Sequence, residues 1–125
     1  WFHPHEGTWR EADVPSRAYV LNSRTVAAAG RIASQPELPR VEGPVQVGAV
    51  KVSEDGSKLV MRLYEANGLP AEARLVLGGV FAAVWESNLL EDPQRRLDVE
   101  RDAVNLKFRP FEIKTLLVEV RPEGR

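Results

Sequence analysis

The sequence predicts an all-β domain, an antiparallel β-sandwich of about six to seven short strands behind a short helical or irregular N-terminal segment. Three observations carry this. Apolar residues alternate at period two in a series of short runs from residue 45 onward. Turn signals separate those runs: Asp55-Gly56, Asn67-Gly68-Leu69-Pro70 and Gly78-Gly79. No ten-residue helical crossover lies between them, so a parallel α/β sheet is disfavoured.

Along residues 1–30, Thr8 and Glu11 have capping-box spacing, and Ala12, Val14, Ala18 and Leu21 could line one helix face. Pro15 disfavours a helical Val14. The expectation is therefore a turn near Thr8 and a short helix from Pro15 to Leu21, capped by Asp13 or a neighbour. Residues 25–29 read as a short strand or as the end of that segment. Residues 35–44 hold three prolines and a glycine and read as a linker. This divides the chain into an N-terminal segment 1–34, a linker 35–44 and a sandwich 45–122.

Within the sandwich, residues 45–52 and 58–65 form a hairpin around Asp55-Gly56. Ala73, Leu75 and Leu77 share one face of a third strand. Residues 80–87 make a fourth, with Phe81, Ala83 and Trp85 on one face and Trp85 in the core. Residues 88–96 read as a loop around Asp92-Pro93, and residues 97–100 as a short strand. Val104, Leu106 and Phe108 alternate in the next strand, and Pro110 marks a bend. In the last strand, Phe111, Ile113, Thr115 and Leu117 fall on one face and Glu112 and Lys114 on the other. From Leu116 both faces are apolar, as in a strand covered on two sides.

Composition narrows the function. The 125 residues suffice for one domain with a core. Seventeen basic and 18 acidic side chains nearly cancel, with no basic block to engage nucleic acid or a membrane surface. No apolar run approaches the ~20 residues of a spanning helix, so a soluble protein is expected. The absence of cysteine removes disulfides and thiolate chemistry and fits a cytoplasmic location. The opening Trp1-Phe2-His3, without an initiator methionine or leader, reads as part of a longer polypeptide.

Candidate chemistry is sparse. His3-Pro4-His5 could grip a metal, but these are the only two histidines and no third ligand is near in sequence. Glu65, Glu86, Glu91 and Glu112 sit on strands or at their ends. A glycosidase pair needs carboxyls about 5–10 Å apart, and Glu65 and Glu112 could meet this on neighbouring strands. The competing reading pairs each with a base such as Arg62, Arg109 or Lys114. There is no nucleophile elbow and no phosphate-binding loop. Trp9 and Tyr64 are the aromatic candidates for a sugar contact.

Residue order adds a family. Arg62-Leu63-Tyr64-Glu65-Ala66-Asn67-Gly68, then Trp85-Glu86-Ser87-Asn88-Leu89-Leu90-Glu91, then Leu106-Lys107-Phe108-Arg109-Pro110-Phe111-Glu112-Ile113-Lys114-Thr115 resemble the C-terminal β-sandwich of α-mannosidases of glycoside hydrolase family 38. The opening Phe2-His3-Pro4-His5-Glu6-Gly7-Thr8-Trp9-Arg10 resembles an upstream stretch of bacterial members. The resemblance implies a retaining exo-α-mannosidase whose zinc ligands, nucleophile and acid/base belong to a separate N-terminal catalytic domain. No catalytic or metal residue is then expected here. Arg62, Tyr64, Glu65, Glu91, Arg109, Glu112 and Lys114 are expected to be structural. The implied partners are that catalytic domain and, through it, a mannose-containing oligosaccharide, with the parent a possible homo-oligomer. Residues 67–70 and 88–96 are the loops that could reach the substrate cleft. A stand-alone carbohydrate-binding module and an assembly domain are the alternatives.

Overall fold

The computed structural model describes residues 2–23, 39–78 and 81–120. The chain divides into two compact units, Trp1–Ser34 and Gln35–Arg125.

In the first unit the Thr8 N–H donates to Glu11 Oε2 (2.7 Å), and the Glu11 N–H donates back to Thr8 Oγ1 (3.3 Å). The reciprocal pair forms as its spacing predicts, yet it closes a turn rather than starting a helix. Helix α1 follows at Val14–Asn22 with Pro15 in its first turn. Asp13 precedes it in a left-handed conformation (φ 50°), from which its side chain caps nothing. No residue of α1 is buried. The strand considered for residues 25–29 lies outside the described residues.

The second unit is a two-sheet all-β fold with eight strands among the described residues. They are β1 (Arg40–Glu42), β2 (Gln46–Val52), β3 (Lys58–Tyr64), β4 (Ala71–Val76), β5 (Phe81–Ser87), β6 (Pro93–Leu97), β7 (Ala103–Phe108) and β8 (Ile113–Val120). One sheet has the order β1-β4-β7 and the other β2-β3-β8-β5-β6, with every pairing antiparallel. The core lies between the sheets. Met61, Leu63, Val84, Leu116 and Val118 enter it from the larger sheet, and Ala73, Leu75, Val104, Leu106 and Phe108 from the smaller.

The β2–β3 hairpin turns on Gly56 at φ 74°, a conformation that suits glycine. Asp55 locks the turn by accepting from the Ser53 hydroxyl (2.6 Å) and the Ser57 N–H (2.9 Å). These bonds, the Ser53 hydroxyl foremost, hold the Asp55 carboxyl far below the ordinary carboxylate range. The strand of Ala73, Leu75 and Leu77 joins the smaller sheet, where Leu75 is fully buried.

Several sequence expectations change. Within the segment read as a linker, Arg40–Glu42 pair as β1 with β4. Gly43 ends that strand at φ 122°, where a Cβ would lie 2.7 Å from the Glu72 carbonyl oxygen. Part of the segment read as a loop is strand β6. Its proline stands at the first position of an edge strand, which loses no ladder bond. Conversely, of the strand read at residues 97–100, Leu97 ends β6 and Glu100 makes only an isolated bridge to Ala103. A register shift between Phe81 and Ala83 rotates the rest of β5. Phe81 stays in the core, while Trp85 faces outward, half-buried, with the Arg96 guanidinium 5.7 Å from its ring centroid.

The largest change concerns β8. Its alternation is as read, but the core takes the other face: Leu116 and Val118 are fully buried between the sheets, and Ile113 is 64% exposed. Phe111 lies outside the strand altogether, in a turn at φ 59°. Thr115 and Leu117 are buried on the outer face, where Leu117 lines a groove of about 210 Å³ with Leu90, Glu91 and Pro93. Period two cannot choose between the faces of a central strand whose two faces are both apolar.

Candidate functional site

The chemically rich residues gather where β3 ends and β8 begins. The Glu65 backbone N–H donates to the Glu112 carbonyl (3.0 Å), joining the two segments directly. Glu65 is 2% exposed. Its Oε1 accepts the Asn67 N–H (2.6 Å), and its Oε2 accepts those of Gly68 (2.7 Å), Leu69 (3.3 Å) and Phe111 (3.0 Å). One carboxylate thus ties the turn after β3 to the turn before β8. Burial pushes this carboxyl up, but the four N–H groups together outweigh it and hold it below the ordinary range. The expectation that Glu65 pairs with a basic side chain is corrected: its partners are main-chain donors.

Glu112 and Lys114 belong to a chain of charges on the core-facing side. Glu112 accepts the Arg109 N–H (2.8 Å) and its guanidinium (3.1 Å), with Lys114 Nζ at 3.5 Å. Lys114 Nζ donates to Glu86 Oε1 (2.8 Å), and Arg95 donates to Glu86 Oε2 (2.7 Å). The Arg109 N–H, opposed by burial and aided by the Arg109 and Lys114 charges, holds Glu112 below the usual carboxylate range. For Glu86 burial acts upward, and Lys114 and Arg95 bring it net lower. Glu86 was a sequence candidate, but its partner Arg95 was not singled out. The signal was present in Glu86, a carboxylate at the end of an apolar strand that a lysine on β8 must reach.

A general acid at neutral pH needs a raised pKa and a free proton-bearing edge. Glu65, Glu86 and Glu112 are all held low by groups the fold supplies, the state of structural carboxylates rather than of a general acid. A third cluster fixes residues 88–92 over the outer face of the larger sheet. The Asn88 carboxamide oxygen accepts the N–H groups of Leu90 (2.9 Å) and Asp92 (3.0 Å), and Arg62 Nη2 donates to the Leu89 carbonyl (3.3 Å). Glu91 bonds Lys51 (2.5 Å) and the Glu54 N–H (3.2 Å).

Comparison with known proteins places this architecture. Residues 44–116 match the glycosyl hydrolases family 38 C-terminal beta sandwich domain. The chain belongs to that family. Alpha-mannosidase 2C1 of Homo sapiens is 31% identical over 95% of this chain and 12% of its own length. Alpha-mannosidase G of Dictyostelium discoideum is 27% identical over 90% and 11%. Alpha-mannosidase 2C1 of Mus musculus is 30% identical over 92% and 12%. The chain therefore spans about an eighth of the length of these relatives, all of them eukaryotic.

The remaining sequence candidates are scattered over the two units. Tyr64 is half-buried on the outer face opposite Ile113, packed beside Gly48, where an added Cβ would lie 3.3 Å from its ring. Trp9, in the first unit, is 38% exposed and carries the Arg10 guanidinium 4.5 Å from its ring centroid. The His3 and His5 rings lie 5.8 Å apart. Among the described residues no three histidine or carboxylate side chains converge as a metal site. No described helix is long and apolar enough to cross a membrane.

Proposed function

We propose that this chain is a non-catalytic sandwich domain of an α-mannosidase that releases terminal α-mannosyl residues with retention, and that it braces that enzyme's catalytic domain. The observation that carries the reading is the match of residues 44–116 to the family 38 C-terminal sandwich, joined to a site whose carboxylates are committed to holding turns and strands. The zinc and the acid/base chemistry of the parent then reside in the other domain. The lack of cysteine suits a cytoplasmic enzyme. Affinity with bacterial members rests on Phe2 to Arg10 with Ala18 and Leu21-Asn22 after it. Residues 67–70 and 88–92 are held firmly enough to shape a neighbouring cleft.

Two measurements test this. The 125-residue chain alone is expected to release no mannose from an aryl α-mannoside, and measurable release would refute the reading. In the full-length enzyme, Glu112→Gln is expected to lower stability by about 1 kcal/mol, the worth of its charge-assisted bonds at a partly solvated site, and to leave kcat unchanged. Lost turnover with unchanged melting would instead make Glu112 a participant in the chemistry.

A further inference from the structure

Resting on that function, we propose that the outer face of the five-stranded sheet, centred on residues 88–92, is the surface on which this sandwich seats against another domain of the same polypeptide. The two outer faces of the fold differ in kind. That of the three-stranded sheet carries the exposed ion pairs Arg40–Glu42 (3.3 Å), Arg74–Glu42 (3.7 Å) and Lys107–Glu72 (3.5 Å), a surface suited to water. That of the five-stranded sheet carries Leu89 (66% exposed), Leu90 (81%) and Ile113 (64%), with Phe111 (62%) in the adjoining turn.

The leucines are held out on purpose-built backbone. Asn88 closes the loop by accepting two N–H groups and by donating from Nδ2 to Asp92 Oδ2 (2.9 Å). Glu91 adopts a left-handed conformation (φ 69°) while its carboxylate grips Lys51 and the Glu54 N–H. A loop ordered in this way has already met the entropic cost of fixing the side chains it presents.

Size decides which occupant fits. Four side chains this exposed offer roughly a few hundred Å² of apolar surface, less than the about 800 Å² per partner of an ordinary free complex. A domain tethered in the same chain needs less, because its effective concentration is high. The matched relatives supply such a chain, since this sequence corresponds to only 12% of the human protein.

The test uses the full-length enzyme with Leu90→Cys, and Leu89→Cys as a second variant, against Lys107→Cys as the water-facing control. Iodoacetamide labelling is read at each position by mass spectrometry. Positions 89 and 90 are expected to label at least about tenfold more slowly than position 107 at every protein concentration. Equal rates overturn the proposal. So does slowness that vanishes on dilution, which would assign the face to a second copy. Aryl α-mannoside hydrolysis by the same preparation separates the two ideas: an active enzyme with fast labelling sinks the docking face alone, and an inactive protein sinks the functional reading and this proposal with it.

Discussion

Glu65→Gln is expected to lower the stability of the sandwich by about 3–5 kcal/mol, read as a lower urea midpoint at unchanged slope. The glutamine keeps one acceptor oxygen and turns an NH2 group toward backbone N–H donors that lie 2.6–3.3 Å from the native carboxylate. At a site that is 2% exposed, water cannot replace the lost bonds. Phe111 should respond most, because its left-handed backbone is fastened through its N–H to Glu65. The Phe111 amide is expected to exchange with solvent faster in the variant. An unchanged midpoint would mean that the cradle contributes nothing to the fold. The pH dependence follows with the same sign. Because the folded carboxyl titrates below its unfolded value, its contribution is complete above the ordinary carboxylate range and is lost as pH falls through the folded value.

Lys114→Met is expected to cost about 2–3 kcal/mol. The Lys114 side chain is 11% exposed, and its ammonium lies between Glu86 and Glu112, whose side chains are 22% and 17% exposed. Methionine is an unbranched apolar chain of similar length, so the loss reports charge, including the Nζ contact 5.7 Å from the Phe108 ring centroid, rather than volume. Each carboxylate keeps one largely solvated arginine, Arg95 or Arg109, and so the cost stays below that of a fully buried pair. Without Lys114, Glu86 and Glu112 lose a partner that holds them ionised, and both carboxyls rise. Wild-type stability should therefore fall more steeply than that of the variant as pH drops through and below the ordinary carboxylate range, and parallel curves there would count against the network.

Much of the sandwich was legible in residue order. Asp55-Gly56 between two alternating runs specified the β2–β3 hairpin, and Val104, Leu106 and Phe108 marked the buried face of β7. What failed shares a cause. Pro93 hid β6, because an edge strand tolerates a residue that a central strand excludes. The shift between Phe81 and Ala83 turned Trp85 outward, and a single displaced residue leaves no mark in composition. On β8 the charges of Glu112 and Lys114 suggested solvent, although their partners Arg109 and Glu86 let them line the core side. The candidate residues were visible as types; their roles were not. Glu65 looked like half of an ion pair, because main-chain donors from residues 67–69 and 111 carry no side-chain signature.

The position of β8 has a consequence for biosynthesis. It is the last of the described strands, yet it lies in the middle of the larger sheet between β3 and β5. Until the ribosome has released it, the β2–β3 and β5–β6 hairpins have no common neighbour, and each offers an unpaired backbone edge. The smaller sheet, whose last strand is β7, can assemble earlier but then has only part of its apolar cover. A nascent chain arrested before Ile113 is thus two loose hairpins and a half-covered sheet, the kind of species that chaperones retain. Closure of the larger sheet therefore waits on β8, whichever hairpin forms first.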